Sequence, residues 1–145
     1  MSTIKRIAGT SASLTGTASL NSLGSTNSVL LDEYNNSTNL WPSADFEFAL
    51  TFGTAPSDNA QIELWIVPAA DGSNYCDGSS SVAARANLSI GVLLVRNVNT
   101  AQRLMMRDVP IPPYKFKLLV KNSTSQGLAA SGNSATIFPH GLQSV

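Results

Sequence analysis

Asp45-Phe46-Glu47-Phe48-Ala49-Leu50-Thr51-Phe52 decides the fold class. In an extended chain Phe46, Phe48, Leu50 and Phe52 fall on one side, and Asp45, Glu47, Ala49 and Thr51 on the other. On a helix the same aromatics would be scattered around the circumference. The stretch is a half-buried strand, and Gly53 to Asn59, with Pro56, Ser57 and Asp58, supplies the turn that follows it.

Working outward, Gln61 to Val67 repeats the alternation. Ile62, Leu64 and Ile66 share one face; Glu63, Trp65 and Val67 share the other. That second face is unusually apolar, so Trp65 and Val67 are expected to meet a second layer or a partner. Pro68 is expected to end the strand, and a long loop runs from Ala69 to Ser81. Asn87 to Val98 is apolar and rich in β-branched residues, which predicts a buried central strand. Arg103 to Val109 predicts another, with Met105 and Met106 as core filler. Pro110-Ile111-Pro112-Pro113 cannot be helical, because each proline removes a donor and restricts the residue before it. It leads into a strand over Tyr114–Lys121, and Ala135–Phe138 predicts a short final strand. No stretch sustains a 3.6-residue period. Roughly seven or eight strands at ~8–12-residue spacing predict an all-β, antiparallel fold, a β-sandwich in preference to a small barrel.

Upstream of these strands, residues 8–28 are mostly Ser, Thr, Gly and Ala. Leu14, Gly16, Ala18 and Leu20 keep a period of two. Two readings follow: a flexible low-complexity tail, or an arm that orders against a neighbour's sheet edge. The expected division is an extended N-terminal arm over residues 1–28 and one sandwich domain over 29–145. In that scheme Ile4, Lys5, Arg6, Leu14, Leu20 and Leu23 of the arm, with Trp65 and Val67, make the subunit contacts.

The chain of 145 residues is the size of one domain. Only 12% of it is charged, and nine basic residues cancel nine acidic ones. No net field draws in nucleic acid or an anionic membrane, so neither is an expected partner. Nothing approaches the ~18 consecutive apolar residues of a membrane span. Met1–Ile7 runs into Ser/Thr/Gly-rich sequence rather than an apolar leader, so synthesis in a bacterial cytoplasm is expected.

Chemistry-bearing residues are few. His140 is the single histidine and Cys76 the single cysteine. A Ser-His-Asp set around His140 is formally possible, but no Gly-x-Ser-x-Gly elbow accompanies it. Asp32, Glu33, Asp45, Glu47 and Glu63 read as surface carboxylates rather than a flanking pair across a cleft. Asp71-Gly72-Ser73-Asn74-Tyr75-Cys76-Asp77 offers oxygen ligands to calcium, yet lacks the spacing and bidentate Glu of an EF-hand. The same residues make ordinary turns. Trp41, Trp65, Tyr34, Tyr75 and Tyr114 would stack on sugar rings if two or three stood exposed together. No catalytic residue, cofactor or metal site is expected.

The segment Asp108-Val109-Pro110-Ile111-Pro112-Pro113-Tyr114-Lys115-Phe116-Lys117-Leu118-Leu119-Val120-Lys121-Asn122, followed by Gly127-Leu128-Ala129-Ala130-Ser131-Gly132-Asn133, resembles small β-sandwich structural proteins of tailed-phage virions, of the capsid decoration or cement type. The similarity is one of pattern over residues 45–140, and it carries no catalytic or metal-binding motif. It implies a non-enzymatic, jelly-roll-like sandwich that forms a homo-oligomer, often a trimer, binds the major capsid protein or other virion proteins and resides in the virion. The alternative expectation is a carbohydrate-binding or host-adhesion module.

Overall fold

A computed structural model describes residues 3–144. The strands are β1 (Ile4–Ala8), β2 (Ala12–Ser13), β3 (Ser28–Leu30), β4 (Tyr34–Asn35), β5 (Ser43–Leu50), β6 (Gln61–Ala69), β7 (Ser89–Leu94), β8 (Gln102–Pro110), β9 (Lys115–Asn122) and β10 (Ser134–Ser144). They form two sheets. The first runs β1-β10-β5-β8 with β2 also on β10; the second runs β3-β9-β6-β7 with β4 also on β9. All pairings are antiparallel, and β1·β10, β3·β9, β5·β8 and β6·β7 nest inside one another along the chain. A long hairpin rolled in this way is a jelly roll, so the all-β sandwich expected from the alternation is the fold observed.

The alternation also places the core. Phe46, Phe48 and Leu50 of β5 are fully buried against Ile62 and Leu64 of β6 and Phe116, Leu118 and Val120 of β9. Their neighbours along each strand point outward, as the pleat requires.

Residues 8–28 are not a separate arm, and the boundary at residue 28 is not a structural one. Leu14, Leu20 and Leu23 are buried in this chain's own core, so they are not subunit contacts. Two asparagines tie the segment down. Asn122, wholly buried, donates from Nδ2 to the carbonyls of Leu23 (3.0 Å) and Gln126 (2.8 Å). Asn133 donates to Asn21 Oδ1 at 3.0 Å. Asp32 accepts from the Thr17 hydroxyl at 2.6 Å and from the Thr17 and Ala18 N–H groups at 2.8 Å. Its carboxyl pKa is lowered to about 2, chiefly by the Thr17 hydroxyl, with partial burial opposing and the backbone donors helping. Low-complexity composition thus conceals three well-spaced leucines that close the sandwich.

Three strand expectations are corrected. Pro68 does not end β6, which continues to Ala69 opposite Lys115. The ladder to β7 stops at Trp65, so beyond it that side of β6 needs no donor and tolerates proline. The final strand is not short: β10 spans Ser134–Ser144 and lies inside its sheet, between β1 and β5. Pro139 falls where the β2 ladder gives way to the β1 ladder, and its carbonyl accepts from Gly9 N–H at 2.8 Å. Finally, β7 is an edge strand rather than a central one, with Val92 and Leu94 exposed. An apolar, β-branched run does not by itself separate the two cases.

Candidate functional site

The two outer faces of the sandwich differ. On the second sheet, the loop joining β6 to β7 folds back as a strap. Val67 and Leu119 point away from the core and are still buried, and Trp65 is half-buried. Gly78 (φ +149°) lies so close that a Cβ there would meet Val67 Cγ2 at 2.9 Å and Ala84 Cβ at 3.3 Å. Tyr75 pins the strap by donating its hydroxyl to the Glu33 carboxylate, while Lys117 Nζ sits 4.8 Å from the centre of its ring. Partial burial and then the bonded, charged Glu33 push the Tyr75 phenol up to about 12. Val67 is therefore covered by its own chain and is unavailable as a subunit contact.

The strap also accounts for the Asp71–Asp77 segment. Asp71 Oδ1 accepts from the N–H groups of Ser73 (2.9 Å) and Asn74 (2.7 Å), and Oδ2 accepts from Asn74 Nδ2 (2.7 Å). Asp77 pairs with Arg85 at 3.2 Å. The two carboxylates serve separate turns, and among the described residues no group of three or more His, Cys, Asp or Glu could hold a metal ion. Cys76 is free and exposed.

Among the described residues no strap covers the first sheet. Its outer face carries Ile4 (69% exposed) on β1, Leu142 (71%) and Phe138 (38%) on β10, and Met105 (45%) on β8. Between them, β1, β5, β8 and β10 enclose a cleft of about 330 Å³ lined by Arg6, Ile7, Ala8, Asp45, Arg107, Asp108 and His140. Cross-strand register builds it. His140 lies directly opposite Ala8 on one side and Ser43 on the other, and Asp45 follows two residues along β5 on the same face. A bulge lets Arg107 and Asp108 together oppose Asp45, with Asp108 at φ +57°. Asp108 N–H donates to Asp45 Oδ1 at 2.7 Å, and Arg6 pairs with Asp108 at 2.7 Å.

His140 Nε2 lies 3.2 Å from Asp45 Oδ1, and Nδ1 lies 3.2 Å from Ser43 Oγ. A carboxylate only accepts, so Nε2–H donates to Asp45, while Nδ1 and the Ser43 hydroxyl share a hydrogen bond. Burial raises the Asp45 carboxyl, but the Asp108 N–H, His140 and Arg107 outweigh it, and the net shift is downward. The Ser43–His140–Asp45 chain has the hydrogen-bond order of a serine nucleophile and its base. However, Ser43 does not line the cleft, and β5 is laddered on both sides at this point. This hydrogen-bonded chain ties β10 to β5, and the Asp108 N–H on Asp45 adds β8.

No protein-family model matches the sequence, and no curated protein matches it. Among solved structures the chain is similar to the carbohydrate-binding module TmCBM61, solved in complex with β-1,4-galactotriose. The match has a TM-score of 0.31 at 11% identity and covers 97% of this chain and 87% of that one. A likeness that loose carries no argument about function.

Of the residues singled out from sequence as contacts, Ile4, Lys5 and Arg6 stand exposed on β1, and Arg6 is engaged by Asp108. Sequence reasoning missed Phe138 and Leu142 and misplaced Met105, which was expected to fill the core but points outward beside Glu47, while Met106 packs inward. Phe138 and Leu142 share a face with His140 at a spacing of two, a signal present in the sequence but masked by Pro139 and Gly141.

The aromatics do not gather into a platform. Trp41 lies against the backbone of Gly9 and Gly141, where added Cβ atoms would approach its ring at 2.7 and 3.4 Å. Tyr34 packs on Phe116 with ring centroids 5.6 Å apart. Trp65 lies under the strap, where it lines a cleft of about 210 Å³ with Ser79, Ser80, Ser81 and Lys121.

Proposed function

We propose that this chain is a non-enzymatic structural protein of a tailed-phage particle, a capsid decoration or cement protein that docks through the bare outer face of its first sheet. The observation behind the docking is the uncovered outer face itself, where exposed Ile4, Leu142, Phe138 and Met105 alternate with polar residues around a charged cleft. Such a mixed face fits a polar, register-setting contact with apolar points. The phage assignment rests on the sequence resemblance. The jelly roll is used by viral capsid proteins and by lectins alike, so the fold favours neither reading.

The test is quantitative mass spectrometry of purified particles from the phage whose genome encodes the chain. Its presence at a fixed copy number, lost with Phe138→Asp in the encoded gene, is expected. Absence from particles would overturn the assignment.

Sugar binding is the second reading, and the Trp65 cleft with its four serines is the observation in its favour. Tryptophan fluorescence titrated with an oligosaccharide panel separates the two. Saturable quenching abolished by Trp65→Ala would move it to first place.

A further inference from the structure

We propose that the β7 edge pairs with the β7 edge of a second copy, antiparallel about a twofold axis, extending the second sheet across a dimer. Pairing of this kind is independent of the particle reading and uses the opposite side of the sandwich from β1.

The argument starts from how sheets protect their edges. An unpaired strand offers a row of free N–H and C=O groups, and proteins blunt it with charges, proline, bulges or very short strands. Three edges here are blunted. β1 carries Lys5 and Arg6. β8 carries Arg103, Arg107 and Asp108, a bulge opposite Asp45, and Pro110 at its end. The fourth side is broken into β3 and β4, of three and two residues.

β7 has neither charge nor proline in Ser89-Ile90-Gly91-Val92-Leu93-Leu94. Its one bulge falls at the start, between Gly91 and Ser89. Gly91 to Leu94 then run in unbroken register with Leu64 to Gln61. No strand takes the other side of β7. On the outer face Val92 and Leu94 stand 43% and 51% exposed, while Leu93 is buried on the inner face.

A second copy is the occupant this edge fits. An antiparallel pair about a twofold is self-complementary, because the same strand supplies both halves. Val92 and Leu94 of the two copies then become cross-strand neighbours and leave water together. Charge selects the same arrangement. Arg96 follows the strand closely, so a parallel pair would set Arg96 beside its own copy. An antiparallel pair sets it beside the uncharged Asn87-Leu88-Ser89 segment. A net charge of zero leaves no long-range repulsion between copies.

The experiment is light scattering of the full chain across a concentration series, beside Leu94→Lys and Phe138→Asp, each first shown to be folded by a cooperative urea transition. Wild-type protein should reach twice the 15.2 kDa chain mass. Leu94→Lys should weaken dimerisation at least about tenfold, since a charge set into the pair forfeits upward of 1.4 kcal/mol. Phe138→Asp should leave the dimer intact. A wild-type monomer up to about 1 mM would overturn the proposal. So would a dimer that survives Leu94→Lys and is lost with Phe138→Asp, since it forms through the bare face. Neither outcome bears on whether the chain is found in particles.

Discussion

Val67 and Phe138 both point away from the core of the same sandwich, yet one is buried and the other stands in water. The difference is the strap. Residues between β6 and β7 fold back over Trp65, Val67 and Leu119, held by Tyr75 on Glu33 and by the close approach of Gly78. Among the described residues nothing comparable returns over β10. An outward apolar residue is thus evidence of an interface only after the chain's own loops have been placed.

The sharpest way to break the comparison is to put the same charge on each face. Val67→Asp buries a carboxylate beneath the strap and is expected to cost about 3–5 kcal/mol, or to prevent folding. Phe138→Asp should cost less, about 1–2 kcal/mol, because the site is 38% exposed, although the new carboxylate sits directly opposite Asp45. Urea denaturation of both variants decides this, and equal losses would mean the bare face is not bare.

Gly78→Val is the next largest. It forces a β-branched residue to φ +149° and drives Cβ into Val67. A loss of about 1–3 kcal/mol is expected, with faster hydrogen exchange across the strap and none at β10.

Asp32→Ala probes the tie between the first residues and the sandwich and should cost about 1–2 kcal/mol near neutral pH. The folded pKa of Asp32 lies at about 2, below the unfolded value of 3.8. Its contribution is therefore present in full above about pH 4 and disappears as pH falls through 2. Wild type and variant should converge in stability across that window.

The smallest effect is Tyr75→Phe, expected to cost less than about 1 kcal/mol because the Tyr75–Glu33 bond is near the surface. Tyr75 titrates at about 12 against an ordinary 10, so the wild-type strap loses this support as pH rises from 10 through 12. Absorbance at the phenolate band should lose the latest-titrating tyrosine in the variant, while Tyr34, raised by burial, remains.

The sandwich was legible from Asp45–Phe52 and Gln61–Val67, since one face of each strand is apolar and the other is not. Position within a sheet was not. β7 and β10 exchange the roles their compositions imply: the apolar run lies at an edge, and the strand containing Pro139 lies inside a sheet. Local sequence records which residues avoid water, but which strand sits beside which is fixed by long-range pairing. The cleft was illegible for the same reason. Arg6, Asp45, Asp108 and His140 come from four separate strands, and only the ladders bring them together. Leu14 and Leu20 were visible as part of an alternating set and Leu23 as a bulky residue after it, but low complexity argued for disorder until Asn122 and Asn133 supplied partners.

The nesting of strand pairs has a kinetic consequence. The outermost pair joins β1 to β10, and β10 also carries β5 and β2. The first sheet therefore has no middle until its final strand is made, and few of its contacts are local in sequence. Closure of such long loops precedes most of the stabilising contacts, so folding should be slow for a domain of this size. During that interval the apolar β7 edge and the outward Val67 would both be uncovered, and crowded nascent copies would meet there first.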